Sequence, residues 1–213
     1  MPFNMGSERP IPKKIVFSEA GAGMSTVALF VGLTIFKLAL ASSWGYTADI
    51  THMRDSAEAF LAGKNILDPI NTRGNPTFLP LGHHLIIGAA LFISRASDIP
   101  FPFLIKVPAI LADLVVALLL RSTTRGGNRT ALLYFLNPIS FLLSVYHGQL
   151  HTVATAGVVL ALWLAERQQL WSAGIVLALA GSVRQHFLML AVPVLARFNT
   201  LQDRLKFAVP LTA

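Results

Sequence analysis

From residue 24 onward the chain is a succession of apolar runs, at 24–43, 79–94, 101–120, 130–146, 151–165, 170–183 and 186–197, with one long polar stretch after the first and short polar sequence between the others. An apolar run of about twenty residues makes a helix long enough to cross a bilayer core, and in lipid the backbone must satisfy its own hydrogen bonds. The fold class this predicts is all-α, a polytopic transmembrane helical bundle of about six or seven membrane segments. The composition agrees: 54% of the 213 residues are hydrophobic and 13% are charged, about half the charged share of an ordinary soluble domain. The absence of cysteine rules out a disulfide scaffold. The 17 Lys and Arg residues, against 10 Asp and Glu, are scattered between apolar runs; they read as topology signals, not as a nucleic-acid surface.

The chain divides into a polar, cytoplasmic N-terminal tail at 1–23 with Arg9, Lys13 and Lys14, a membrane module at 24–198, and a loop at 199–213 that opens a further span and breaks off, as a fragment of a longer protein would. The first run is too long for a usual signal-peptide core, and Trp44 and Tyr46 after it suit an interfacial anchor. The longest polar stretch, 44–78, is the external loop. Within it, Ile50, Met53, Ala57, Phe60 and Leu61 recur at helical spacing, predicting a short interfacial amphipathic helix over 49–62 that Gly63 ends.

Most later runs are short: sixteen residues give a helix of about 24 Å against a core near 30 Å. If 79–94 dips in and returns with the N-terminus inside, ten Lys and Arg lie inside and five outside, as the positive-inside rule requires. Seven crossings with the N-terminus outside give the same ratio. The re-entrant version is preferred because it puts the 44–78 loop, YHGQLH and RQH on one face.

Ionisable residues inside apolar runs each cost about 2.5–3.5 kcal/mol on insertion scales, which singles out Lys37, Lys106, Asp113 and Arg184. Lys106 and Asp113 stand seven apart on one helix face and are expected to pair with other helices rather than each other. Lys37, late in its run, is expected to snorkel outward. The histidines, at 52, 83, 84, 147, 151 and 186, gather toward one side. Asp49, His52 and Asp55, with His147 and His151, offer a metal-site alternative, so a divalent cation stays open, although no HExxH spacing is present and no metal ligand is assigned. Asp49 is alternatively the N-cap of the amphipathic helix. Walker A, GxGxxG and GxSxG patterns are missing, and the NRT sequon at Asn128 lies in a basic, cytoplasmic loop.

The block NPISFLLSVYHGQLHTVATAGVVLALWLAERQQLWSAGIVLALAGSVRQH resembles the transmembrane block of GT-C glycosyltransferases, in which Asn-Pro opens a helix ending in a His-Gly-Gln box, here His147, Gly148 and Gln149. KVPAILADLVVALLL and the loop DITHMRDSAEAFLAGKNILDP followed by FLPLGHHL resemble the segments that precede it, so the likeness covers about 24–197. Where the box usually carries Asp two residues after Gln, this chain has His151. The resemblance implies an integral membrane enzyme that transfers a hexose or pentose from a polyprenyl-phosphate donor to a glycan or lipid hydroxyl. Transfer would occur on the extracytoplasmic face, with inversion. It implies Asp49 as general base and Arg184, then Lys106, as partners of the leaving phosphate, with His52, His83, His147, Gln149 and His151 left for phosphate or sugar. Two other classes stay open: a transporter or lipid flippase, and a non-catalytic remnant or assembly partner.

Overall fold

The computed structural model describes residues 20–74 and 76–212, which form helices and turns with no strand among them. The tail that carries Arg9, Lys13 and Lys14 lies outside the described residues. Helix α1, Ala20–Ser43, begins four residues before the apolar run. Among the described residues it and α4, Phe101–Thr123, are the two helices long and apolar enough to cross a membrane; 23 residues rise about 35 Å. This suits a helical membrane protein. The two helices run antiparallel. At one end Asn128, just past α4, reaches Thr26; at the other, Lys106 Nζ donates to the carbonyls of Ala41 and Trp44.

Between these ends Lys37 and Asp113, 1% and 0% exposed, form an ion pair of 2.8 Å. The expectation that Lys37 snorkels outward is thus corrected. Its neighbours Ile35 and Phe36 face out, whereas Lys37 faces α4, where its counter-ion stands. Ser140 Oγ donates to the same carboxylate oxygen at 2.8 Å, Tyr134 OH to the other at 3.1 Å, and the ammonium lies 4.1 Å from the Phe135 ring centre. Asp113 therefore pairs across helices, as its spacing from Lys106 required.

The run at 130–146 is a broken unit instead of one helix: α5 spans Gly127–Phe135, α6 spans Pro138–Phe141, and a π-helical turn spans Leu142–Tyr146. Pro138 cannot continue α5, and Asn137 Oδ1 accepts from Ile139 N to start α6. Helices α7, His151–Glu166, and α8, Leu170–Val183, form a hairpin. They approach closely because the contact is built from small residues, Gly157 facing Ala180. After Arg184 come a 3-10 segment, Gln185–Leu190, and a short α9, Ala191–Leu195, where one run at 186–197 had suggested a single helix. Helix α10, Leu201–Ala208, returns to α8 and buries Phe207 beside Gly174.

Helix α2, Ala48–Leu61, ends in a Schellman motif: Gly63 at φ +64° donates to Phe60 O and Lys64 N to Ala59 O. Helix α3, Leu81–Ala96, packs against it, Gly88 meeting the Phe60 ring. Both ends of α3 stay at the same end of the bundle. His83 shares a cleft with Asp49, Gln149 and Arg184, while Leu91, Ser94 and Arg95 share a cavity with the C-terminal end of α1 and the start of α4. Because α1 ends where α4 begins, the chain between them leaves and returns at one end of the bundle, and Leu81, Leu85 and Phe92 face outward. The chain has no cysteine, so single cysteines report this directly. In vesicles, Asp98→Cys and Lys64→Cys are expected to react with an impermeant maleimide from one face and Arg125→Cys from the other. Asp98→Cys reacting with Arg125→Cys instead would make α3 a span.

Candidate functional site

Asp49 sits in the first turn of α2, but it is not the cap: Thr47 Oγ1 accepts from Ile50 N, which leaves the Asp49 carboxylate free to point away from its own helix. Gln149 Nε2 donates to Asp49 Oδ2 at 2.8 Å. His147 Nδ1 lies 2.9 Å from the same oxygen, at an angle too bent for a hydrogen bond. The Asp49 side chain is 38% exposed, and its Oδ1 bonds no other described residue.

The π turn delivers His147 and Gln149. It underwinds the end of the broken unit, a local distortion that re-aims side chains, and Gly148 at φ +64° then turns the chain. A Cβ there would lie 3.0 Å from Lys106 Cγ and 3.3 Å from Ile105 Cγ2, so position 148 needs glycine both for its dihedral and for its close approach to α4. Gly148→Ala is expected to cost at least about 1–2 kcal/mol from the left-handed dihedral alone, read as a lower thermal midpoint in detergent with the helical content unchanged.

Arg184 ends α8 in an extended conformation, φ −145°, so its side chain leaves the hairpin toward Asp49, within electrostatic reach of that carboxylate. Arg184 Nε is buried without a partner. So are His83 Nδ1 and His151 Nδ1, on residues close enough to Arg184 to feel its charge. Buried polar groups are normally paired; three orphans together, one of them on a guanidinium, mark a place where an anion would satisfy them. The His151 and His186 rings lie 6.0 Å apart behind this group.

The cleft has a volume of about 160 Å³ and is lined by Asp49, His52, Met53, Ser56, Thr77, Leu79, His83, Gln149 and Arg184. Of the residues singled out from sequence, Asp49, His52, His83, Gln149 and Arg184 line it, His147 touches Asp49, and His151 stands behind Arg184. Lys106 is corrected: wholly buried, it donates to the carbonyls of Ala41 at 3.2 Å and Trp44 at 2.6 Å and does not line the cleft. The cause is local, because the last carbonyls of α1 have no helical donors and a lysine is well suited to supply them. The metal alternative is corrected as well. Asp55 turns to Arg73 at 3.1 Å, and among the described residues no group of three or more His, Asp or Glu is placed to hold a metal ion.

A family model described as the GPI transamidase subunit PIG-U matches residues 26–209, which include every cleft residue named above. The chain belongs to the PIG-U family. No curated protein and no solved structure matches it. PIG-U is a membrane-protein family and its description is that of a complex subunit, so the match gives the chain's family without giving it sugar transfer. The PIG-U match also starts inside α1 and runs past α10, taking in the broken unit, the hairpin and the segments after Arg184.

Sequence reasoning missed Ser56, whose hydroxyl lies 2.6 Å from that of Thr77 at the cleft wall. A signal for Ser56 was present, since 49, 52 or 53 and 56 fall on one face of α2. Thr77 carried none, because the loop that brings it back over α2 has no periodicity.

Proposed function

We propose that this chain is an integral membrane glycosyltransferase of the extracytoplasmic face, transferring a sugar from a polyprenyl-phosphate donor to an acceptor hydroxyl. The observation that carries the reading is the meeting, at one end of the bundle, of a part-exposed carboxylate on α2 with an unpaired guanidinium after α8 and an unpaired histidine on α3. The acceptor oxygen attacks the anomeric carbon from the face opposite the phosphate, and the bond from that carbon to the phosphate oxygen breaks with its electron pair going to the phosphate. Asp49 takes the hydroxyl proton. Gln149 holds that carboxylate in place through its oxygen Oδ2, leaving Oδ1 for the proton. Arg184, with His83 and His151, meets the charge that grows on the phosphate. One positioned carboxylate, with no second among the described residues that line the cleft, supports an inverting course.

In the orientation this reading uses, α1, α4, the broken α5–α6 unit, α7, α8 and the segment at 185–195 cross the membrane and α3 lies along the outer rim. Loops carrying Arg121, Arg125, Arg129, Arg167, Arg197 and Arg204 then fall on the cytoplasmic side with the N-terminal tail.

A second reading is favoured by the family match: a non-catalytic subunit that holds a glycolipid in the same cleft. Purified chain supplied with a labelled polyprenyl-phosphate sugar separates the two. Binding with transfer supports the enzyme, and binding without transfer supports the subunit. The transporter alternative would use the intramembrane charges, but Lys37, Lys106 and Asp113 are each engaged between α1 and α4.

A further inference from the structure

A second, larger cavity of about 710 Å³ opens at the same end of the bundle and shares no lining residue with the Asp49 cleft. Its walls are the C-terminal end of α1 with Trp44 and Tyr46, one side of α2, the last turns of α3, and the first turn of α4. We propose that it binds the phosphodiester headgroup of an anionic membrane lipid.

The charge around the cavity is unbalanced. Arg54 donates to Tyr46 OH at 2.8 Å and to Glu58 Oε1 at 3.2 Å. Arg73 is held by Asp55 at 3.1 Å and by the other Glu58 oxygen at 3.4 Å, so these two carboxylates answer Arg54 and Arg73 and leave Arg95 as the unmatched charge. Arg95 has no ion pair or hydrogen bond to any described residue, and neither does the hydroxyl of its neighbour Ser94, although both line the cavity. A free guanidinium beside a free hydroxyl, with a second guanidinium across from it, is the donor set a phosphodiester takes.

The rest of the wall favours a lipid over a free anion. Trp44, 38% exposed, and the part-buried Phe103 line it above the buried Leu91, Phe101 and Pro102, and their apolar faces would be left uncovered by inorganic phosphate but covered by acyl chains. The volume lies within the range of about 300–1,000 Å³ typical of small-molecule sites. The polar lip sits beside Trp44 and Tyr46, the residue types that mark a headgroup level. The inference rests on the proposed reading only in taking this end of the bundle as lying at the membrane interface; it does not depend on Asp49 acting as a base.

The test uses the full chain purified in mild detergent and offered equal amounts of phosphatidylglycerol and phosphatidylcholine, with retained lipid counted by native mass spectrometry. Phosphatidylglycerol is expected to be retained over phosphatidylcholine. Arg95→Gln is expected to lower that retention about tenfold, as loss of one charge-assisted hydrogen bond should. Ser94→Phe, which puts a ring beside Arg95 and removes the hydroxyl while leaving the charge alone, is expected to lower it as well, so a folding defect in one variant leaves the other to decide. Equal retention of the two lipids, or undiminished retention by both variants, would overturn the proposal. So would displacement of the lipid by millimolar inorganic phosphate as effectively as by short-chain phosphatidylglycerol, because the site would then take the anion alone. The measurement in detergent has no sidedness. Labelling of Lys64→Cys from the cytoplasmic face would therefore overturn the orientation while this result still judged the cavity.

Discussion

Replacing Asp49 with Asn is expected to lower sugar transfer by about 10²- to 10⁴-fold, the span general-base catalysis covers, while the protein remains folded and still binds its lipid-linked sugar. Asparagine keeps the shape of the side chain, and its carbonyl oxygen still accepts the 2.8 Å hydrogen bond that Gln149 now gives to Oδ2. The start of α2 is unaffected, since Thr47 and not residue 49 caps the helix. What is lost is the ability to take a proton. The separation of binding from turnover is the informative part: a purely structural Asp49 would move the thermal midpoint and the binding together. Unchanged transfer by a well-folded Asp49→Asn protein would sink the assignment of the base.

Asp113→Ala should be the most damaging single change to the fold. It removes the one carboxylate facing Lys37, which is 1% exposed, and leaves Ser140 and Tyr134 without their acceptor. Two magnitudes compete here. Interhelical hydrogen bonds in membranes average only about 0.6 kcal/mol, so the two hydroxyls contribute little. A buried ammonium stripped of its counter-ion costs far more, about 3–5 kcal/mol, and that term decides the outcome. The expected result is a large fall in thermal midpoint in detergent, or no folded protein. Lys37→Met combined with Asp113→Leu is expected to recover part of the loss, because the unpaired charge is then gone. A midpoint within about 0.5 kcal/mol of the parent for Asp113→Ala, the level of an ordinary surface change, would mean that Lys37 finds water.

The helices themselves were legible in the sequence because their cause is local. The runs at 101–120, 151–165 and 170–183 became α4, α7 and α8 within a few residues, and Gly63 ended α2 by the conformation only glycine enters readily. Charge counting left 79–94 open, since a re-entrant segment and seven crossings gave the same ratio; its place beside α2, at the end where α1 stops and α4 starts, is a tertiary result. Hidden features depended on partners from elsewhere in the chain. Whether Lys37 reaches out or in is decided by Asp113, 76 residues away, and whether Lys106 meets a phosphate or a carbonyl is decided by where α1 ends. Neither answer has a periodic signature. The π turn before His147 was equally unreadable, since LLSVY suits an ordinary helix, and only the break at Asn137 and the turn at Gly148 force the extra residue into it. The cleft residues were found from the resemblance to GT-C glycosyltransferases and from the cost of burying charge. Their convergence is a tertiary result of α2, α3, α8 and the π turn ending at one level.

The proposed transfer requires the Asp49 carboxylate to act as a base in the cleft. Its most direct test is to give purified chain a polyprenyl-phosphate sugar of known anomeric configuration with a simple alcohol acceptor, and to read the anomeric proton coupling of the glycoside by NMR. The predicted product has the inverted configuration. A product of retained configuration, or tight binding of the donor with no glycoside formed, would contradict it.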